Sequence, residues 1–128
     1  MTRFRLAAAA VALVFGLGAA GAAQADEMLG SYLARISDAD KQANDGYALD
    51  TAAQIVRQDR ANWHKYGSND DEDQADDYLD SADSRVRFER QLNAPGAMDR
   101  ATRNAIVNGY PLIQVSIYRN SVYVELMD

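Results

Sequence analysis

The clearest hydrophobic pattern in the chain is a two-residue alternation near its C-terminal end. Ile113, Val115 and Ile117 alternate with Gln114, Ser116 and Tyr118; Val122, Val124 and Leu126 then alternate with Tyr123 and Glu125. Successive strand residues point to opposite faces, so this pattern predicts a β-hairpin with one buried side. With Arg119-Asn120 as a two-residue loop, Ile117 faces Val122, Val115 faces Val124 and Ile113 faces Leu126. A loop at Asn120-Ser121 shifts the partners by two and buries the same side, and the pattern leaves both registers open.

A lone hairpin is marginal in water, so a third strand is needed. Tyr32, Ala34 and Ile36 alternate with Leu33 and Arg35 and can supply it. Met28, Leu29, Tyr32, Leu33 and Ile36 also suit helical spacing, so this strand rests on the hairpin's need for a partner. Ser37 to Ala48 is polar and contains the turn signal Asn44-Asp45-Gly46, which marks a loop.

Helical spacing governs the middle of the chain. Thr51-Ala52-Ala53-Gln54 has capping-box form and opens a helix that should run to about Lys65 and stop at Gly67. The acids Asp70, Asp71, Glu72, Asp73, Asp76, Asp77, Asp80 and Asp83 precede Arg85, Arg87 and Arg90, a polarity that suits one long helix from about Asp70 to Leu92. Its stripe would be Ala75, Tyr78, Leu79, Ala82 and Val86. Phe88 falls on the far side, which predicts a kink or break between Ser81 and Ser84. After Pro95-Gly96, a further helix from about Met98 to Asn108 carries Met98, Ala101, Ala105 and Ile106 inward and ends at Gly109. Together these elements predict an α+β fold: three to four helices packed on a small antiparallel sheet that ends in a C-terminal β-hairpin.

One residue breaks the helical pattern. Ala52, Ile55, Val56, Trp63 and Tyr66 form an apolar stripe on the Thr51 helix, and Asp59 lies near its centre with Asn62 at one edge. An unpartnered buried carboxylate costs several kcal/mol or more, so Asp59 should accept backbone N–H groups from a loop or meet an arginine such as Arg35. Asp59 and Asn62 are thus candidates for a buried structural acid and its neighbour. His64, the single histidine, falls about 140° from the stripe's centre and is expected to face solvent, away from Asp59.

The N-terminal 25 residues have export character: Arg3 and Arg5, an apolar run from Leu6 to Leu17, and the small-residue ending Ala23-Gln24-Ala25. Cleavage before Asp26 is expected. The run is rich in alanine and glycine and only weakly apolar, which favours a cleaved signal peptide over a membrane anchor. The expected organisation is a signal peptide over residues 1–25 and a single small α+β domain over 26–128, released to the periplasm or the medium. The chain contains no cysteine, so the fold rests on packing without disulfides.

Without residues 1–25 the chain carries 11 basic and 19 acidic residues, a net charge of −8. That balance disfavours nucleic acid and anionic membrane surfaces and suits either plain solubility or a cationic partner, such as an envelope component or another protein. No cofactor is expected, since no Gly-rich phosphate loop, G-x-S-x-G, H-E-x-x-H or C-x-x-C occurs. No metal is expected either: the acids of 70–73 are consecutive, and neither they nor Asp38-x-Asp40-x-Gln42 carry the glycine of a calcium loop. Two function classes follow. One is an exported non-enzymatic module that binds a protein or envelope component through its acidic surface or the sheet edge. The other is a small exported hydrolase or lyase using Asp59 as acid or base with Asn62 and a tyrosine such as Tyr66.

Overall fold

The computed structural model describes residues 26–67 and 70–128; the expected signal peptide lies outside the described residues. In chain order the elements are β1 (Met28–Arg35), a 3-10 turn (Asp38–Lys41), α1 (Ala52–Ala61), α2 (Ala82–Leu92), α3 (Arg100–Asn108), β2 (Leu112–Tyr118) and β3 (Val122–Leu126). The fold is α+β, with three α-helices among the described residues and a three-stranded antiparallel sheet in the order β1-β2-β3.

The hairpin takes the first of the two registers, pairing Ile117 with Val122, Val115 with Val124 and Ile113 with Leu126. Arg119-Asn120 is its loop, closed by Tyr118 N–H donating to the Ser121 carbonyl at 2.9 Å. Among the described residues no non-glycine residue has positive φ, so this turn is not one of the left-handed types that favour two-residue hairpins. It is clasped instead from the other end of the described chain. Asn120 N–H and Ser121 Oγ donate to the Asp26 carboxylate at 2.8 and 2.6 Å, and Arg119 N–H donates to the Glu27 carbonyl at 2.8 Å.

The third strand forms and is longer than the alternation suggested, reaching back to Met28 across an irregularity between Met28 and Gly30. Tyr32, Ala34, Ile36, Ile113, Val115, Ile117, Val122 and Val124 make up one fully buried face of the sheet, and the helices cover it. Ile55, Val56, Phe88, Leu92 and Ile106 fill the layer between. Burying side chains of this size contributes roughly 1.5–3 kcal/mol each, and that sum drives the docking of helices on sheet.

The long acidic helix does not form. Residues 70–80 are turn and irregular backbone, and helix begins only at Ala82. Aspartate side chains compete for backbone N–H groups and favour local turns. Here Asp73 Oδ2 accepts Asp70 N–H at 2.9 Å, and Asp76 Oδ2 accepts Tyr78 and Leu79 N–H at 2.8 and 2.7 Å. Ser81 caps α2 where the break was expected, its Oγ accepting Ser84 N–H at 3.0 Å while Ser84 Oγ accepts Ser81 N–H at 3.2 Å. Of the inferred stripe only Leu79 is buried: Ala75, Tyr78, Ala82 and Val86 are exposed, and Arg85, Phe88 and Leu92 face the core.

The acidic segment lies along β1. Gln74 N–H donates to the Leu33 carbonyl at 2.8 Å, Gln74 Oε1 accepts Leu33 N–H at 3.0 Å, and Asp73 Oδ1 accepts Arg35 N–H at 2.8 Å. Gly30 lets the ring of Tyr78 rest on the strand, because a Cβ there would meet Tyr78 Cε2 at 3.1 Å. On the opposite edge Val124 N–H donates to the Ala97 carbonyl at 2.8 Å. Both outer strands therefore spend edge groups on their own chain, which blunts pairing with another chain.

Two further expectations need correction. α3 starts at Arg100, capped by Asp99 Oδ1 accepting Thr102 N–H at 2.8 Å, and buries Thr102 and Ile106 while Ala101 is exposed. At α1, Thr51 Oγ1 accepts Gln54 N–H at 3.2 Å, but the Gln54 side chain reaches Asp50 N–H rather than that of Thr51.

Candidate functional site

After Ala61 the α1 backbone widens into a π turn, Asn62–Tyr66, closed by Gly67 in the left-handed region (φ 67°), whose N–H donates to the Asn62 carbonyl. Glycine adopts that conformation without the steric cost of a Cβ. The wider turn changes which side chains share a face. Trp63 is only half-buried and Tyr66 is 45% exposed, so the apolar stripe ends sooner than uniform 100° steps imply.

Asp59 is 2% exposed and its partner is the next residue: Arg60 Nε donates to Asp59 Oδ2 at 2.8 Å. Arg35, the arginine suggested by the sequence, is engaged elsewhere, with Glu72 and Asp128. Arg60 is itself fully buried, stacked on the Tyr32 ring at 3.9 Å and near Trp63 at 5.1 Å. Its Nη1 donates to the Gln74 carbonyl at 2.8 Å and to Asp76 Oδ1 at 3.1 Å. The answer to the misplaced carboxylate is thus a chain of contacts: Asp59 orients Arg60, and Arg60 holds the acidic segment against α1.

His64 joins the same cluster. Its Nε2 lies 2.8 Å from Asp76 Oδ1 and its side chain is only 12% exposed, so the expectation of a solvent-facing histidine fails. The π turn supplies the reason, since residues five apart are brought together where α geometry would separate them.

Asn62, 7% exposed, bridges this helix to the 3-10 turn. Its Nδ2 donates to Asp40 Oδ1 at 2.9 Å and to the Ala39 carbonyl at 3.2 Å, while its Oδ1 accepts Gln58 Nε2 at 2.9 Å. Tyr66, grouped with Asp59 and Asn62 in the enzyme reading, hydrogen-bonds Asn44. Asp59 and Tyr66 are not brought together.

The carboxylates of the cluster differ in their supply of donors. Asp76 faces Arg60, His64 and two backbone N–H groups, and these hold its pKa below the ordinary value despite burial. Asp59 has one donor, Arg60, which it shares. Burial outweighs that attraction and, with Asp40 and Asp73 nearby, pushes its pKa up to about 8. Burial likewise raises Asp40 to about 6, against hydrogen bonds from Asn62 and Ser37 that favour the anion. One guanidinium cannot neutralise two desolvated carboxylates, so the anion settles on Asp76 and the proton on Asp59.

Chemically, this cluster is a fastener that stores a proton. It places no nucleophile beside Asp59, and none of the described clefts is lined by Asp59. No three His, Cys, Asp or Glu side chains among the described residues converge to hold a metal ion. Arg60 and Asp76 are the members that the sequence pattern passed over. Arg60 lies four residues after Val56, a spacing that puts it on the buried face, but its charge assigns it to water by default. Compared with protein-family models, with curated proteins and with solved structures, the chain finds no match.

Proposed function

We propose that the protein is an exported, non-enzymatic binding module whose acidic surface takes a cationic partner, a protein or an envelope component. The supporting observation is how the acidic segment is presented. Asp71, Asp77, Asp80 and Asp83 are exposed, and their carboxylates make no hydrogen bond or ion pair among the described residues. The backbone that carries them is held by Gln74, Asp73 and Asp76. Charge displayed on a fixed scaffold attracts a partner without the entropy cost of ordering a loose segment.

The hydrolase or lyase reading draws on the raised pKa of Asp59, which would suit an acid or base near neutral pH. Against it stand the 2% exposure of Asp59 and its separation from Tyr66. The test is a titration of isotope-labelled residues 26–128 with an oligolysine peptide, followed by amide shifts. Shifts confined to residues 70–83 that vanish at high salt support the module; shifts absent or scattered over the molecule refute it.

A further inference from the structure

Two clefts meet along α1, and the first reaches Ala82, next to Asp83 at the end of the acidic segment. One has a volume of about 300 Å³ and the other about 330 Å³, and Ala43, Asn44 and Gln58 line both. The first is walled by Gln54, Arg57, Lys65, Arg85 and Glu89; the second extends past Asn62 to Tyr66. None of Asp71, Asp77, Asp80 and Asp83 lines either cleft.

Three cations and a single acid converge here in a chain whose net charge outside residues 1–25 is −8. Arg57 Nη1 reaches Glu89 Oε1 at 2.8 Å, and Arg85 Nη1 donates to the Leu79 carbonyl at 2.8 Å. Lys65 is exposed and forms no ion pair among the described residues. The cleft thus keeps an excess of positive charge.

Its amides are set in fixed senses. Gln58 Nε2 donates to Asn44 Oδ1 at 3.2 Å and to Asn62 Oδ1 at 2.9 Å, which spends both hydrogens and leaves Oε1 as an acceptor. Gln54 Oε1 accepts Asp50 N–H at 3.4 Å, which leaves its NH₂ as a donor. A simple carboxylate or a phosphodiester offers only acceptors and would leave Gln58 Oε1 opposed. A sugar hydroxyl both donates and accepts, and satisfies the two amides together. The exposed ring of Tyr66 adds an apolar face at the far end.

We propose that this groove binds an acidic saccharide, its carboxylate toward Arg57, Lys65 and Arg85 and its hydroxyls on Gln54 and Gln58. The site is separate from the acidic surface, so either can fail without the other. Calorimetric titration with trigalacturonate, maltotriose and tricarballylate, a tricarboxylate without hydroxyls, tests it. Trigalacturonate should bind at least about tenfold more tightly than either the neutral sugar or the non-sugar polyanion. Lys65→Glu and Gln54→Leu, both at accessible positions, should each weaken it by about tenfold or more, with Arg100→Glu unchanged and oligolysine binding retained. Tricarballylate binding as tightly as trigalacturonate, no trigalacturonate binding at millimolar concentration, or equal weakening by Arg100→Glu would overturn the proposal.

Discussion

Asp59 and Asp76 grip the same guanidinium, yet Asp59 has that donor alone while Asp76 is also met by His64 and by the N–H groups of Tyr78 and Leu79. This inequality decides where the negative charge resides and what each substitution does.

Asp59→Ala removes the group that orients Arg60 and leaves a buried cation short of a partner. Destabilisation of about 1–3 kcal/mol is expected in urea unfolding. Asp59→Asn keeps the acceptor and the shape, and it resembles the protonated acid, so its cost at pH 6 should stay under about 1 kcal/mol. Equal losses for the two variants would show that Asp59 is ionised in the fold.

Asp76→Ala should be the more damaging. It strips Arg60 and His64 of their shared anion and leaves two backbone N–H groups of the acidic segment without an acceptor. A loss of about 3–5 kcal/mol is expected, as for other buried pairs broken from one side. Amide exchange at Leu33 and Gln74 should accelerate with it; protection as in the parent chain would mean that the segment is held without Arg60.

Stability should depend on pH in an unusual sense. Asp59 and Asp40 bind protons more tightly in the fold, to about 8 and about 6, than at the ordinary value of 3.8. Their contribution is complete below that ordinary value and is lost as pH rises through the folded values, so the melting temperature should climb as pH falls from about 8 to about 4. Asp76, held below its ordinary value, acts oppositely: its contribution disappears as pH falls below that range. A melting temperature that declines steadily between pH 8 and 5 would contradict the proton on Asp59.

Asp26→Ala should lower the melting temperature and speed exchange at Asn120, because the Asp26 carboxylate accepts from both Asn120 and Ser121 in the hairpin loop. Asp71→Asn is the matching control. Asp71 is exposed and lies outside any helix, so no helix dipole acts on it, and its replacement should stay within about 0.5 kcal/mol of the parent.

Legibility followed the range of the interactions involved. The hairpin of Ile113 to Leu126 was readable because two-residue alternation is a local consequence of strand geometry, and the hydrophobic effect needs no partner named in advance. The helix from Ala52 was readable from Thr51 and the spacing of Ile55 and Val56 for the same reason. His64 was misplaced because nothing in the residues Asn62 to Tyr66 announces a π turn, and one added residue per turn rotates every side chain beyond it.

The polarity of the 70–92 stretch misled for a related reason. A helix dipole rewards acids first and arginines last by some tenths of a kcal/mol per charge, whereas the Asp73 and Asp76 carboxylates have bonds of greater worth on offer from β1, from the backbone of their own segment and from Arg60. Composition, charge, the alternation of the strands and the odd position of Asp59 were properties of the sequence alone. The choice of Arg60 as its partner, the seating of Asp76 and His64 around it, and the acids laid along a strand were decided by tertiary contacts. A buried charge selects whichever opposite charge the packed elements bring within reach, and that distance exists only once the helices have docked on the sheet.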